Sequence, residues 1–203
     1  GFLLVDSGAT YMDGTTDITR TYPLGELTED EKRFYTWTLQ SHIDLARAVW
    51  LDYCECKMID TIAREPLWRH LINYRCGTGH SVSFVGNVHE GPHALNSRNT
   101  TRMRPGMVVT DEPGVYETDL VGIRIENELV CIHKADNQYG TFLGFEPLTF
   151  VPIATSPILP GVLDKDELAW LNDYHRQVFA KLAPHLNAEE RVWLAEKCAS
   201  IGC

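Results

Sequence analysis

No stretch of this sequence is apolar for long enough to cross a bilayer, and its opening residues carry no signal-peptide pattern. Basic charge is scarce. The 18 Lys and Arg face 28 Asp and Glu, a formal net charge of −10, so the basic cluster that a nucleic-acid surface needs is missing. Of the six cysteines, Cys54, Cys56, Cys76, Cys131, Cys198 and Cys203, only Cys54 and Cys56 lie close together as C-x-C, with no matching pair. A cysteine-ligated zinc site is therefore not expected, and reduced thiols of a cytoplasmic protein are. Internal repeats and low-complexity tracts are also lacking. What is present is ordinary for a globular protein: 203 residues, 44% hydrophobic and 23% charged, enough to bury a core without staples.

Punctuation and periodicity predict the elements. Residues 2–5 (FLLV) form an apolar run typical of a buried strand, and residues 17–22 alternate as a second, joined by a turn over 10–14. Thr28 followed by Glu31 has the capping-box pattern, ahead of helical spacing at Phe34, Leu39, Ile43, Ala46 and Val49. A second helix is predicted over 57–71, with Pro66 as a kink or boundary. Strand-like stretches follow at 107–110, 114–117, 123–132 and 147–153. Beyond a linker rich in proline, Asp164 and Asn187 are candidate N-caps for helices over 164–182 and 188–199.

Five residues in compact motifs punctuated by Gly or Pro carry the chemistry: Asp6, Asp17, His80, Glu112 and Glu126. Four carboxylates with one imidazole, and no thiolate, suit a pair of divalent first-row ions, whose bound water ionises near neutrality. The set therefore speaks for a metal-dependent hydrolase. Asp6 and Asp17 can share a face of the first hairpin, where opposed Cβ atoms lie ~5 Å apart. The surroundings of Asp6, with Leu4, Val5 and Gly8, read as buried, and an uncompensated charge there would be costly. Glu126 alternates with Ile123 and Ile125, and Arg124 beside it is a candidate for holding a ligand carboxylate by a bidentate bond. Glu128 is taken as an ordinary solvated side chain.

His89, in NVHEGP, is the leading candidate for a catalytic group outside the ligand set, through contact with a scissile carbonyl or proton transfer. His93 ranks behind it. His42, His70, His133, His175 and His185 are assigned no chemistry.

In their order and spacing, VDSGATYMDGTTDITRT, GTGHSVSFVGNVHEGP, TDEPGVYE, GIRIENE and FEPLTFVP resemble metallopeptidases of the M24 or pita-bread family, of the Xaa-Pro aminopeptidase (aminopeptidase P) type. The likeness runs from Val5 to about Tyr174 and includes the ten residues between Asp6 and Asp17. It implies an α+β pita-bread fold, a curved, mostly antiparallel sheet covered by helices. Residues 1–153 would form the catalytic domain, lacking its N-terminal part, and 154–203 a C-terminal helical extension. Asp6 would be a terminal ligand of the first metal, Asp17 and Glu126 would bridge, and His80 and Glu112 would hold the second. His89 would touch substrate, and Glu112 would also pass a proton to the leaving nitrogen. The expected ions are two Mn²⁺, with Zn²⁺ or Co²⁺ as alternatives, and the substrates are peptides with proline second. A homodimer in the cytoplasm, away from membranes and nucleic acid, completes the expectation.

The family's usual GHGVG reads HSVS from His80 to Ser83 here. A positive φ at either serine would cost roughly 1 kcal/mol and crowd the pocket. The opening GFLLVDSG reads as mid-strand, so further polypeptide is expected upstream. A prolidase-like Xaa-Pro dipeptidase is the nearest alternative. A creatinase-like enzyme without metals, or a pita-bread module that binds peptides without cleaving them, fits less well with a complete ligand set.

Overall fold

The computed structural model describes residues 1–202; Cys203, among the six cysteines above, lies outside the described residues. The fold is α+β, and every ladder among the described residues is antiparallel. A long hairpin, β1 (Phe2–Tyr11) and β2 (Gly14–Pro23), leads into helix α1 (Glu29–Ala46). The short strand β3 (Val49–Leu51) and helix α2 (Cys56–Trp68) follow. Two further pairs are β4 (Gly79–Ser81) with β5 (Glu90–Leu95), and β7 (Gly114–Glu117) with β8 (Val121–Arg124). The largest sheet has the order β3, β10 (Gly140–Pro147), β9 (Asn127–Asn137), β6 (Val108–Asp111). Helices α3 (Lys165–Leu182) and α4 (Ala188–Lys197) close the chain. No helix among the described residues is long and apolar enough to span a membrane.

All three anticipated N-caps form. The side chains of Thr28, Asp164 and Asn187 each accept from backbone N–H groups of the first turn, and Glu31, Glu167 and Glu190 return the bond to the cap. Each such cap is worth about 1 kcal/mol. From Tyr35 onward α1 is buried on most sides, because it runs between two packed layers. Tyr35, Leu39 and Ile43, four residues apart, pack with Ile123, Ile125, Leu171, Tyr174 and Val178. Leu45 and Ala46 join the other core, in which α2 covers the four-stranded sheet through Ile59 and Ala63. Thr36 and Thr38 survive burial by donating to the carbonyls of Lys32 and Phe34 one turn back, both at 2.8 Å.

Several expectations need correction. Residues 147–153 form no strand beyond Pro147. Pro152 has no N–H, and the backbone there bonds side chains instead: Arg20 donates to the carbonyls of Val151 and Pro152, and Ile153 N–H to His175 Nε2. The run 123–132 is two strands, parted where the chain leaves β7 for β6; at the break Glu126 N–H bonds the Thr19 carbonyl at 3.0 Å. Leu3 and Val5 are exposed, since β1 pairs only with β2 and has an uncovered face. Glu128 is buried, not solvated, because β2 covers that face. Burial raises its pKa to about 7. Helix α2 ends at Trp68, and Pro66 sits inside its last turn.

Candidate metal centre

The hairpin register decides how the first two carboxylates meet. Asp6 pairs with Thr19, and Asp17 with Gly8, so the aspartates are diagonal neighbours on one face. Asp17 points toward β4, where Gly79 packs against Thr110 so closely that an added Cβ would lie 1.8 Å from that residue's carbonyl oxygen. Two bonds tie the segments here, Glu112 N–H to Thr78 O (2.8 Å) and His80 N–H to Thr110 Oγ1 (3.0 Å), and Thr110 Oγ1–H in turn donates to Glu112 Oε1 two residues on (2.9 Å). Behind them Arg64 on α2 donates to Asp60 Oδ2 and to the carbonyls of Tyr74 and Cys76, clamping the segment that leads to His80.

The result is a cleft of about 520 Å³ lined by Asp6, Asp17, His80, His89, Glu112 and Glu126. One donor atom from each of Asp17, His80 and Glu126 falls within 4.8 Å of the others. His80 Nε2 lies 3.2 Å from Glu112 Oε1 and 3.5 Å from Asp17 Oδ2. Its Nδ1 donates to the Ser81 carbonyl at 3.1 Å, which aims Nε2 at the carboxylates. Glu126 is 1% exposed, and its Oε1 has no hydrogen-bond partner among the described residues. Thr19 Oγ1 donates to its other oxygen at 2.6 Å. Burial, reinforced by the charges of Glu112 and Asp17, raises the Glu126 pKa to about 8. Burial pulls the His80 pKa down, but hydrogen bonds to Asp17 and Glu112 outweigh it and raise the value to about 10. Oxygen donors around one oriented imidazole, with an unpartnered buried carboxylate oxygen among them, fit a divalent cation.

Asp6 lies at the rim, half exposed, and takes a short hydrogen bond from Arg124 Nη2. Arg124 is not bidentate on any carboxylate. Its Nη1 donates to the Tyr116 hydroxyl (2.6 Å) and its Nε to Thr19 Oγ1 (2.9 Å), with Glu112 and Glu126 oxygens 3.8 and 3.9 Å from Nε. The His89 ring stands edge-on to His80, centroids 4.0 Å apart. His93 is not brought to the cleft; it is buried and its Nε2 donates to the Val108 carbonyl at 2.7 Å. Neither Ser81 nor Ser83 adopts positive φ, so the anticipated strain is absent. Thr19, Thr110 and Tyr116 escaped the sequence reading. Thr19 alternates with Asp17 on β2, and Thr110 precedes Glu112 by two, so same-face spacing was the available signal.

The profile of metallopeptidase family M24 matches residues 1–133, and that of the C-terminal region of peptidase M24 matches 141–201. The chain belongs to metallopeptidase family M24. This M24 chain is 45% identical over 198 residues to "Aminopeptidase P2" of Arabidopsis thaliana, covering 94% of this chain and 28% of that protein. It is 42% identical over 205 residues to "Aminopeptidase P1" of Lotus japonicus, covering 98% and 31%. The chain thus spans about a third of the length of the curated relatives it matches. Among solved structures, an X-prolyl aminopeptidase of Caenorhabditis elegans, described as a cytosolic enzyme with a di-nuclear active site, superposes with a TM-score of 0.93. It is 39% identical, over 98% of this chain and 34% of that one. A prolidase from Pyrococcus furiosus gives a TM-score of 0.64 at 28% identity, over 74% and 41%. The α+β fold is therefore the pita-bread fold of these M24 enzymes.

Proposed function

We propose that this M24 chain carries the centre of a dinuclear-metal aminopeptidase that hydrolyses the N-terminal Xaa-Pro bond of peptides. The observation that carries the reading is the gathering of Asp17, His80, Glu112 and Glu126 in one cleft, with His89 against His80 and Asp6 at the rim. The greater likeness to the X-prolyl aminopeptidase than to the prolidase supports this type over a dipeptidase.

In this reading Asp6, Asp17, His80, Glu112 and Glu126 would together hold the two ions, with Asp6 on one, His80 and Glu112 on the other, and Asp17 and Glu126 contributing to both. Mn²⁺ comes first, and Zn²⁺ or Co²⁺ suits the same donors. When bound, such ions polarise a carbonyl oxygen and make water acidic near neutral pH. The remaining work falls to side chains. His89 hydrogen-bonds the carbonyl of the scissile bond, as its place at the cleft wall allows. Glu112, oriented by Thr110, passes a proton to the leaving prolyl nitrogen. Arg124 orients Asp6. A cytoplasmic homodimer belongs to the same reading, in line with the cytosolic C. elegans enzyme, and sedimentation would test the dimer.

Metal analysis combined with hydrolysis of an Arg-Pro-Pro peptide and of Xaa-Pro dipeptides tests the proposal. Bound metal with release of the first residue from the longer peptide is expected. Cleavage of dipeptides alone would make the protein prolidase-like, and no metal with no cleavage would make it a binding module.

A further inference from the structure

Asp111 and Asn127 face each other as the last register pair between β6 and β9. Each adjoins a carboxylate of the candidate centre: Glu112 follows Asp111, and Glu126 precedes Asn127. From α1 the His42 side chain reaches this pair, fully buried, with both ring nitrogens engaged. Its Nε2 lies 3.3 Å from Asn127 Nδ2. Its Nδ1 lies 3.2 Å from the Asp111 carbonyl oxygen and 3.1 Å from Asp111 Oδ2.

The direction of these bonds follows from the far end. Arg20 Nη2 donates to Asn127 Oδ1 at 2.7 Å, and a guanidinium has no acceptor to offer. The Tyr174 hydroxyl approaches the same Oδ1 at 3.3 Å. Asn127 must therefore turn its amide nitrogen, which can only donate, toward His42. Nε2 then has to accept, and the ring proton is left on Nδ1, aimed at Asp111. The same Arg20 donates from Nη1 to the Glu126 carbonyl at 2.5 Å, so the arrangement also grips the backbone of the site carboxylate.

We propose that His42 is a positioning residue: held as the Nδ1–H tautomer, it staples Asp111 to Asn127 from behind and thereby sets the spacing of Glu112 and Glu126. This rests on the reading of the cleft as a metal centre. Outer partners of metal ligands typically change affinity by roughly 10–100-fold when lost.

Two measurements on the protein test it. Long-range ¹H–¹⁵N correlation spectra of the histidine-labelled wild type should show His42 Nε2 unprotonated and Nδ1 protonated; a protonated Nε2 would overturn the proposal. Calorimetric titration with Mn²⁺ should show His42→Leu weakened about tenfold or more, and His42→Asn, whose amide can replace Nδ1–H, within about threefold of wild type. A folded His42→Leu that melts earlier yet binds Mn²⁺ like wild type would reduce the residue to a structural one and overturn the role. If wild type itself took up no Mn²⁺, the metal reading and the role would fall together, while the tautomer, which needs no metal, would stand or fall on its own spectrum.

Discussion

Gly79 and Thr110 are in contact where no side chain fits: the position of a Cβ on residue 79 lies 1.8 Å from the Thr110 carbonyl oxygen. This contact brings His80 and Glu112 side by side, since each is the next or next-but-one residue along its chain. A methyl group there would have to push apart two backbones. Gly79→Ala is expected to lower unfolding free energy by about 3 kcal/mol or more, read as a drop in the denaturant midpoint, and to weaken Mn²⁺ binding. Unchanged stability would contradict the packing described.

Removal of individual side chains separates ligation from chemistry. Asp17→Ala and Glu112→Ala should abolish turnover and lower metal content. His89→Ala should keep its metal while the rate falls by roughly 10²–10⁴-fold, the usual contribution of a positioned acid or base. Loss of metal from the His89 variant would contradict its assigned place outside the ligand set.

The raised pKa values of His80 and Glu126 make a prediction of sign. Ligation needs both groups unprotonated, so Mn²⁺ affinity should climb as pH rises from 5 toward 9, and Xaa-Pro hydrolysis should fall off in acid. Metal-free protein should behave in the opposite way. A group with a raised folded pKa stabilises the fold below its unfolded value and loses that contribution as pH climbs through the folded one. For Glu126 this window runs from 4.5 to about 8, and for His80 from 6.5 to about 10. Thermal melts in EDTA should therefore show a falling midpoint from pH 5 to pH 9, with the increment from added Mn²⁺ growing over the same range. An increment independent of pH would argue against these ligands.

Ser83 offers a test on the loop. Its hydroxyl is buried and has no hydrogen-bond partner among the described residues. Ser83→Ala should be neutral or stabilise by up to about 1 kcal/mol, because a desolvated, unpaired hydroxyl costs more than the methyl group replacing it. A clear loss of melting temperature would show that the hydroxyl has a partner.

The comparison of sequence and structure divides along the range of the interactions involved. Thr28, Asp164 and Asn187 were legible as caps because a cap and its partner lie within one turn of chain. Strand β10 was not: Gly140 and Gly144 interrupt its apolar residues, and glycine weakens the strand signal. The buried face of Glu128 was misread as solvated because alternation reveals that two faces exist, not which neighbour covers each.

The sequence by itself determined the candidate donors. Asp6, Asp17, His80, Glu112 and Glu126 stand in motifs whose chemistry and order are readable without coordinates, since ligand preference belongs to residue type. Only the tertiary structure decided that Asp17, His80 and Glu126 converge, that Arg124 turns to Asp6 and Tyr116, and that His42 lies behind the pair. Those outcomes depend on contacts between residues as many as 118 positions apart. Side-chain direction across such distances is set by strand register and by the packing of α1 against β6 and β9, which no local pattern encodes.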